Sequence, residues 1–341
     1  MQKTLKRALV LLLCALLTLP LYSCAGRKKK YSESYFGYFD SFAEFTVYTD
    51  SKDDFLRYSE IVAEELKKYH QMLDAYNAYE NTVNVYTLNE CAAHEPVEVT
   101  HELLDFLKRS KEMYELTSGY TSVALGALTR VWKDAIKTQT VPSDDVLAEA
   151  AKHISIDDLL LDEKKSTVRF ADEKLKLDAG ALGKGYAADR IAEALALEGC
   201  TDSFLLNLGG TLVAKGEKPD GTPWLAGIQA PDGGELDGVS VNLSSDVFET
   251  VALSTSGSYH RGFLQDGVVY HHIIDPYTYK PENIYVSVSI ICASAMQADA
   301  LSTALFSMPL EKGQALIALH AGKEAVWQLT SGEVVMSDGI N

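Results

Sequence analysis

Asp299 and Thr303, in the run Gln297-Ala-Asp-Ala-Leu-Ser-Thr303, stand four residues apart, so on a helix the carboxylate and the hydroxyl point at the same place. Such a pair suits a hard cation. Magnesium takes few protein ligands and completes its octahedron with water and phosphate oxygens, a set that one carboxylate, one hydroxyl and one backbone carbonyl satisfy. The plain alternative is a capping or surface aspartate beside a threonine bonded back to its own helix, and the pair alone does not decide.

A second candidate is Asp178-Ala-Gly-Ala-Leu-Gly-Lys-Gly-Tyr-Ala-Ala-Asp189, where three glycines and a lysine lie between a strand-like and a helical segment. Backbone amides at such a helix start attract anions. The spacing is neither a P-loop nor a dinucleotide fingerprint: two residues separate Gly180 from Gly183, and Lys184 is followed by Gly185 rather than Ser or Thr. A third candidate is Leu253 to Arg261, a small-residue turn with hydroxyls and amides available to phosphate. It precedes His272, read as part of a strand that ends at the Asp275-Pro276 turn. Histidine is the commonest general base near neutral pH.

The elements that must position these residues follow from periodicity. Helical spacing covers 55–73, 103–116, 146–153, 187–197, 297–306 and 311–320. Strand-like runs cover 42–48, 168–177, 204–208, 212–215, 239–243, 268–274 and 286–292, and Gly209-Gly210 between two of them signals a tight hairpin. Strands clustered late, with helices grouped around them, predict an α+β fold of antiparallel and mixed sheets rather than a regular alternation.

The N-terminus predicts the compartment. Lys3, Lys6 and Arg7 precede an apolar run from Ala8 to Leu19, too short to span a bilayer and suited to a secretory signal. Leu21-Tyr-Ser-Cys24 resembles a bacterial lipobox, which makes Cys24 the expected lipidation site. The expected division is a signal peptide at 1–23, a lipid anchor and basic tether at 24–34, and one folded unit at 35–341. Loss of residues 1–23 removes three positive side chains, taking the formal charge from −17 to −20 and disfavouring nucleic acid or an anionic membrane surface as partner. Cys91, Cys200 and Cys292 then remain, widely spaced and odd in number, which indicates neither a zinc site nor a disulfide framework.

Five segments in order resemble the FAD:protein FMN transferases, the ApbE-type flavin transferases: Asp178 to Asp189, Asn207-Leu-Gly-Gly210, Thr255-Ser-Gly-Ser-Tyr259, His272-Ile-Ile-Asp-Pro276 and Ala298-Asp-Ala-Leu-Ser-Thr303. The resemblance implies a T-fold-type α+β architecture and a magnesium-dependent enzyme that cleaves FAD at its pyrophosphate. FMN is transferred as a phosphoester to a Thr or Ser of an exported redox protein, AMP is released, and the enzyme sits lipid-anchored on the extracytoplasmic face of a bacterial membrane. By the family's pattern Asp299 and Thr303 give side-chain ligands to magnesium and Ala181 its carbonyl. Asp178 and Lys184 contact FAD, Phe39 and Tyr76 wall a ring of it, and Tyr120, Thr121 and Ser122 line another part of the cleft. Ile273 packs on the bound FAD, and His272 is the candidate to take the acceptor's proton. Ser122 stands where the family often has Asp, as does Thr211; Tyr279 replaces a glycine, and Phe39-Asp40 replaces Met-Gly. None of these removes a proposed metal ligand. The competing expectations are an FAD pyrophosphatase releasing FMN and AMP, a non-catalytic FAD-binding lipoprotein, and an ordinary solute-binding lipoprotein.

Overall fold

A computed structural model describes residues 28–229, 235–244, 247–258 and 261–340. The expected signal peptide and Cys24 lie outside them, as do Tyr259 and His260.

Alternating side chains build an eight-stranded, wholly antiparallel sheet in the order β1-β2-β6-β7-β10-β13-β14-β15. Its strands are β1 (Lys29–Tyr38), β2 (Ser41–Thr49), β6 (Ser203–Leu208), β7 (Thr211–Lys215), β10 (Thr250–Gly257), β13 (Tyr285–Cys292), β14 (Glu324–Leu329) and β15 (Val334–Met336). Along each strand one set of residues faces the helices and the other faces away. Phe204, Leu206 and Leu208 of β6, Val213 of β7, Ala252 of β10 and Val288 and Ile290 of β13 belong to the main core. That core is shared with α1 (Lys52–Leu73), α6 (Gly183–Leu197) and α7 (Ala295–Ser307). On the other face, Ala214, Val251, Leu253 and Ile291 pack against Trp224, Ala226, Ile228 and Val241. Those four come from the hairpin β8 (Leu225–Gln229)–β9 (Glu235–Asn242) and its approach.

Smaller units complete the α+β fold. The sheet β3 (Val97–Glu98), β4 (Leu159–Asp162), β5 (Thr167–Phe170) lies near α2 (Val85–Cys91) and α3 (His101–Leu116) in sequence. The hairpin β11 (Gly262–Gln265)–β12 (Val268–His271) packs on α4 (Gly126–Thr138) and α5 (Asp144–Ala150) through Phe263, Leu128, Trp132 and Leu147. Helix α8 (Leu310–Ala318) follows α7.

Four sequence expectations change. Residues 29–34 are not a free tether. They form β1 with β2, because Tyr31 stacks on Phe55 at 5.0 Å and the Tyr35 hydroxyl donates to the Ser59 carbonyl at 2.9 Å. The segment 253–257 is strand rather than turn, since β7 and β13 bond it on both edges. The run 168–177 leaves the sheet after Phe170, because the Asn89 side chain both accepts from Leu177 N (2.6 Å) and donates to its carbonyl (2.9 Å), replacing a strand partner. Strand β12 stops at His271, whose ring Nδ1 accepts the Ile273 N–H at 3.2 Å, so His272 lies one residue past the strand. The Gly209-Gly210 hairpin forms as expected, with φ of 56° and 95°, a backbone that suits glycine.

The helical face is organised by one close approach. A Cβ on Gly185 would lie 2.3 Å from the Ala295 carbonyl oxygen and 2.7 Å from Met296 Cα, so α6 meets the first turn of α7 backbone to backbone. Gly185→Ala is therefore expected to destabilise by about 1–3 kcal/mol or more through overpacking. Leu197→Ala, on the same helix but 87% exposed, is expected to stay within about 0.5 kcal/mol. Urea denaturation of the two variants checks the contrast, and equal midpoints would refute the contact's importance.

Candidate functional site

Helix α7 is apolar almost all round and buried, as a core helix is. Asp299 in its middle is only 5% exposed, and a buried carboxylate needs partners. They come from two directions: Oδ2 accepts the Gly185 N–H at 3.0 Å and Oδ1 accepts the Ser254 hydroxyl at 3.2 Å. Gly185 is the third residue of α6, which has no side-chain cap of its own, so Asp299 satisfies one of that helix's free amides. Burial pushes the Asp299 carboxyl above the usual carboxylate range, and the Lys184 charge is the main influence against it.

Thr303 follows one turn later. Its hydroxyl lies 3.2 Å from Ser256 Oγ, which is also 2.9 Å from Ser302 Oγ. Two residues of strand advance about 6.7 Å and four of helix about 6 Å, so Ser254 and Ser256 run in step with Asp299 and Thr303. Directly across from Ser254, Thr211 of β7 bonds to it at 3.1 Å. The result is a seam of hydroxyls on both sides of one carboxylate. Ser254 and Ser256 lie in the segment whose hydroxyls the sequence offers to phosphate, there read as a turn, whereas their alternation marks one face of a strand; Ser302 was given no role of its own.

The glycine turn closes one end of the seam. Leu182 N and Gly183 N both donate to the Ala179 carbonyl, and Ala181 stands just ahead of α6. Lys184 Nζ reaches the Gly209 carbonyl at 3.1 Å, which draws the β6–β7 hairpin to the same place. Asp178 accepts the Gly180 N–H at 2.8 Å and the Tyr76 hydroxyl. Above the Tyr76 ring sits Lys133 Nζ, 3.3 Å from the centroid. Burial and the neighbouring Asp178 push the Tyr76 phenol far above its ordinary value, so it is a firm donor.

Phe39 joins the group through a relay absent from the sequence expectations. Its N–H donates to His70 Nδ1 at 3.2 Å, the Tyr79 hydroxyl lies 3.3 Å from His70 Nε2, and Tyr79 donates to Asp74 at 2.8 Å. Asp74 in turn accepts the Tyr76 N–H at 2.7 Å. Because Nδ1 accepts from backbone, His70 carries its proton on Nε2. Phe39 and Asp40 both have φ of 52°, and Asp40 pairs with Arg261 at 3.7 Å. The Arg261 carbonyl lies 3.3 Å from His272 Nδ1. That contact puts the proton on Nδ1 and leaves the Nε2 lone pair free. Burial lowers the His272 pKa to about 4, with Arg261 and Lys184 adding to the effect and the Arg261 carbonyl opposing it. The residue nevertheless keeps solvent contact, so its ring can be reached from outside.

The remaining expected residues are placed differently from one another. Tyr120 meets Tyr277 in a tilted ring pair with centroids 4.8 Å apart, and Lys312 lies over its ring at 4.6 Å. Thr121 is fully buried and donates to the Ala300 carbonyl at 2.7 Å, fastening its segment to α7 rather than presenting its side chain to a cleft. Ser122 accepts the Ala124 N–H at 3.1 Å and caps the short helical turn that follows. Ile273 is 6% exposed and belongs to the main core.

Among the described residues no group of three or more His, Cys, Asp or Glu side chains could hold a metal. A cation at Asp299 would rely on hydroxyl and carbonyl oxygens and on oxygens of its ligand. That donor set fits magnesium rather than zinc. The fit is supported by Asp299 itself, a buried carboxylate whose raised proton affinity a nearby cation would relieve. A separate cavity at the far end of β6 and β7 holds two ion pairs, Lys28 with Asp202 at 2.6 Å and Lys215 with Glu249 at 2.7 Å, and is also lined by the acids Asp50 and Glu217.

The ApbE family pattern matches residues 39–327. An FAD:protein FMN transferase of Treponema pallidum (strain Nichols) is 35% identical over 268 residues, 74% of this chain and 72% of that protein. One of Vibrio cholerae serotype O1 is 31% identical over 248 residues, covering 71% and 72%. The solved ApbE protein of Thermotoga maritima superposes with a TM-score of 0.81 at 28% identity, over 91% of this chain and 97% of that one. The Pseudomonas stutzeri flavinyl transferase ApbE gives 0.76 at 25% identity, over 92% and 95%. A match running from the β1–β2 turn to β14 takes in the glycine turn, the β10–α7 seam and His272 together, and the chain belongs to the ApbE family.

Proposed function

We propose that this chain is a magnesium-dependent FAD:protein FMN transferase, anchored through Cys24 on the extracytoplasmic face of a bacterial membrane. The observation that carries the reading is Asp299, a carboxylate buried between the α6 start and the β10 hydroxyls, with the Lys184 charge favouring its ionised form. The names of the relatives supply the reaction class.

In the proposed reaction the hydroxyl oxygen of an acceptor Thr or Ser attacks the FMN-side phosphorus of FAD. The bond from that phosphorus to the bridging oxygen breaks, AMP leaves with the electron pair, and the hydroxyl proton passes to His272 Nε2. Asp299, Thr303 and the Ala181 carbonyl would hold the magnesium, which supplies charge neutralisation on the phosphate oxygens when bound. Lys184 adds a fixed positive charge beside those oxygens, its ammonium oriented by the Gly209 carbonyl. Phe39 and Tyr76 border the space for a flat ring, tied to each other through His70, Tyr79 and Asp74. His272 is ready to accept because its pKa is lowered: it is neutral at pH 7.

Incubation of the protein with FAD, MgCl2 and a candidate acceptor is expected to yield a fluorescent acceptor band and AMP. Free FMN without a labelled acceptor would identify a pyrophosphatase instead, and intact FAD would leave binding alone. Asp299→Ala is expected to lower turnover by more than about 100-fold, since even the outer partners of a metal are worth 10–100-fold. Unchanged turnover in that variant would dismiss the site. For His272 the sign is that of a base with a depressed pKa: activity holds as pH falls through about 6.5, the ordinary histidine value, and declines only toward about 4. A kcat/KM profile whose acid limb sits at or above 6.5, or His272→Gln with wild-type turnover, would remove it from the role.

A further inference from the structure

The carboxylate that ends the glycine motif has no part in the reaction just described, yet it is the most fully engaged acid at the joint between α6 and α7. Asp189 Oδ1 accepts the Ala295 N–H at 2.7 Å; Oδ2 accepts the Ser294 hydroxyl at 2.7 Å and the Met296 N–H at 3.0 Å. Ser294 Oγ accepts the next amide, Gln297 N, at 3.3 Å. All three leading amides of α7 are thereby satisfied, two of them from another helix. The exchange is reciprocal, since Asp299 of α7 accepts the Gly185 N–H near the start of α6. Each helix caps the other, with Gly185 permitting the contact.

We propose that Asp189 is a positioning residue for the Asp299/Thr303 pair: by holding the first turn of α7 against α6, its carboxylate sets where those two ligands stand relative to the Ala181–Lys184 turn. From Met296, whose amide it binds, to Asp299 is less than one helical turn, about 4.5 Å of rise, so a shift at the cap passes undiminished to the carboxylate. Thr303 follows rigidly on the same helix. Burial of a full negative charge among three donors costs several kcal/mol unless every donor is well aimed, which makes the arrangement intolerant of an amide in its place. In Asp189→Asn one oxygen becomes an NH2 group facing donors, and the cap loosens while the side-chain volume is kept.

This inference rests on the magnesium reading above, and its test separates the two. Wild type and Asp189→Asn are titrated with MgCl2 in two ways: by the melting temperature without FAD, and by transfer activity at saturating FAD. The half-saturating MgCl2 concentration is expected to rise at least tenfold in the variant by both readouts, in the range seen for residues that orient metal ligands. KM for FAD is expected to change less than about twofold, and excess MgCl2 to restore most of kcat. A loss of kcat at every MgCl2 concentration with unchanged half-saturation would mean a merely structural role and overturn the inference. Ser294→Ala, which removes one of the three donors, is expected to give a smaller rise of about threefold. If Asp189→Asn does not fold, an unchanged half-saturation in Ser294→Ala overturns the inference by itself. A wild-type protein indifferent to MgCl2 removes the magnesium reading and this inference with it, whereas a responsive wild type beside an unresponsive difference removes this inference alone.

Discussion

The backbone contact between the start of α6 and the first turn of α7 is the constraint on which the rest of the site depends. A glycine at 185 lets the helices meet with no side chain between them, within 2.3 Å of where a Cβ would stand from the Ala295 oxygen. At that distance the free amides of both helix starts are shut away from water and must find acceptors within the protein. Asp299 and Asp189 provide them, one from each helix. The same exchange fixes the axial position of α7, and with it everything that α7 offers to β10.

Strand β10 meets this helix with a period that matches it. Ala252 packs into the core beside α7, while Ser254 and Ser256 on the same face turn hydroxyls toward Asp299, Ser302 and Thr303. A carboxylate in so apolar a helix is expensive in isolation, and burial raises its proton affinity. Lys184 on one side and hydroxyls on the other hold it without neutralising it by a direct ion pair. Under the proposed function, a cation that brings its own oxygen ligands would relieve this charge, because the fixed oxygens are few and already oriented.

Around this centre the aromatic and basic residues are tied by hydrogen bonds rather than by a shared element. Phe39 comes from the β1–β2 turn, Tyr76 from the loop after α1, Lys184 from α6 and His272 from just beyond β12. The His70–Tyr79–Asp74 relay connects the first two, and the Asp40–Arg261 pair with the Arg261 carbonyl connects Phe39's neighbour to His272. Loops that carry function on a rigid scaffold need such ties to hold their side chains in place.

Much of this was legible in the chain itself. The i, i+4 spacing of Asp299 and Thr303, the glycines around Lys184 and the Gly209-Gly210 hairpin each depend on local geometry, and local geometry follows from neighbours in sequence. The helices α1, α3, α6 and α7 and the strands β2, β6, β7 and β13 were visible by periodicity for the same reason. What the sequence left open were matters of long-range partnership. Whether Leu253 to Gly257 is turn or strand was decided by β7 and β13 on its two edges, and where the run after Val168 leaves the sheet was decided by Asn89, far away in the chain. The family resemblance implies a cleft position for Thr121, and the structure shows the Ala300 carbonyl capturing its hydroxyl in the interior. The surroundings of Asp299 belong to the same class: the sequence determined that a carboxylate and a hydroxyl share a helix face, and only the tertiary structure brought that face against Gly185, Ser254 and Lys184, because burial and charge are properties of neighbours that the chain alone does not name.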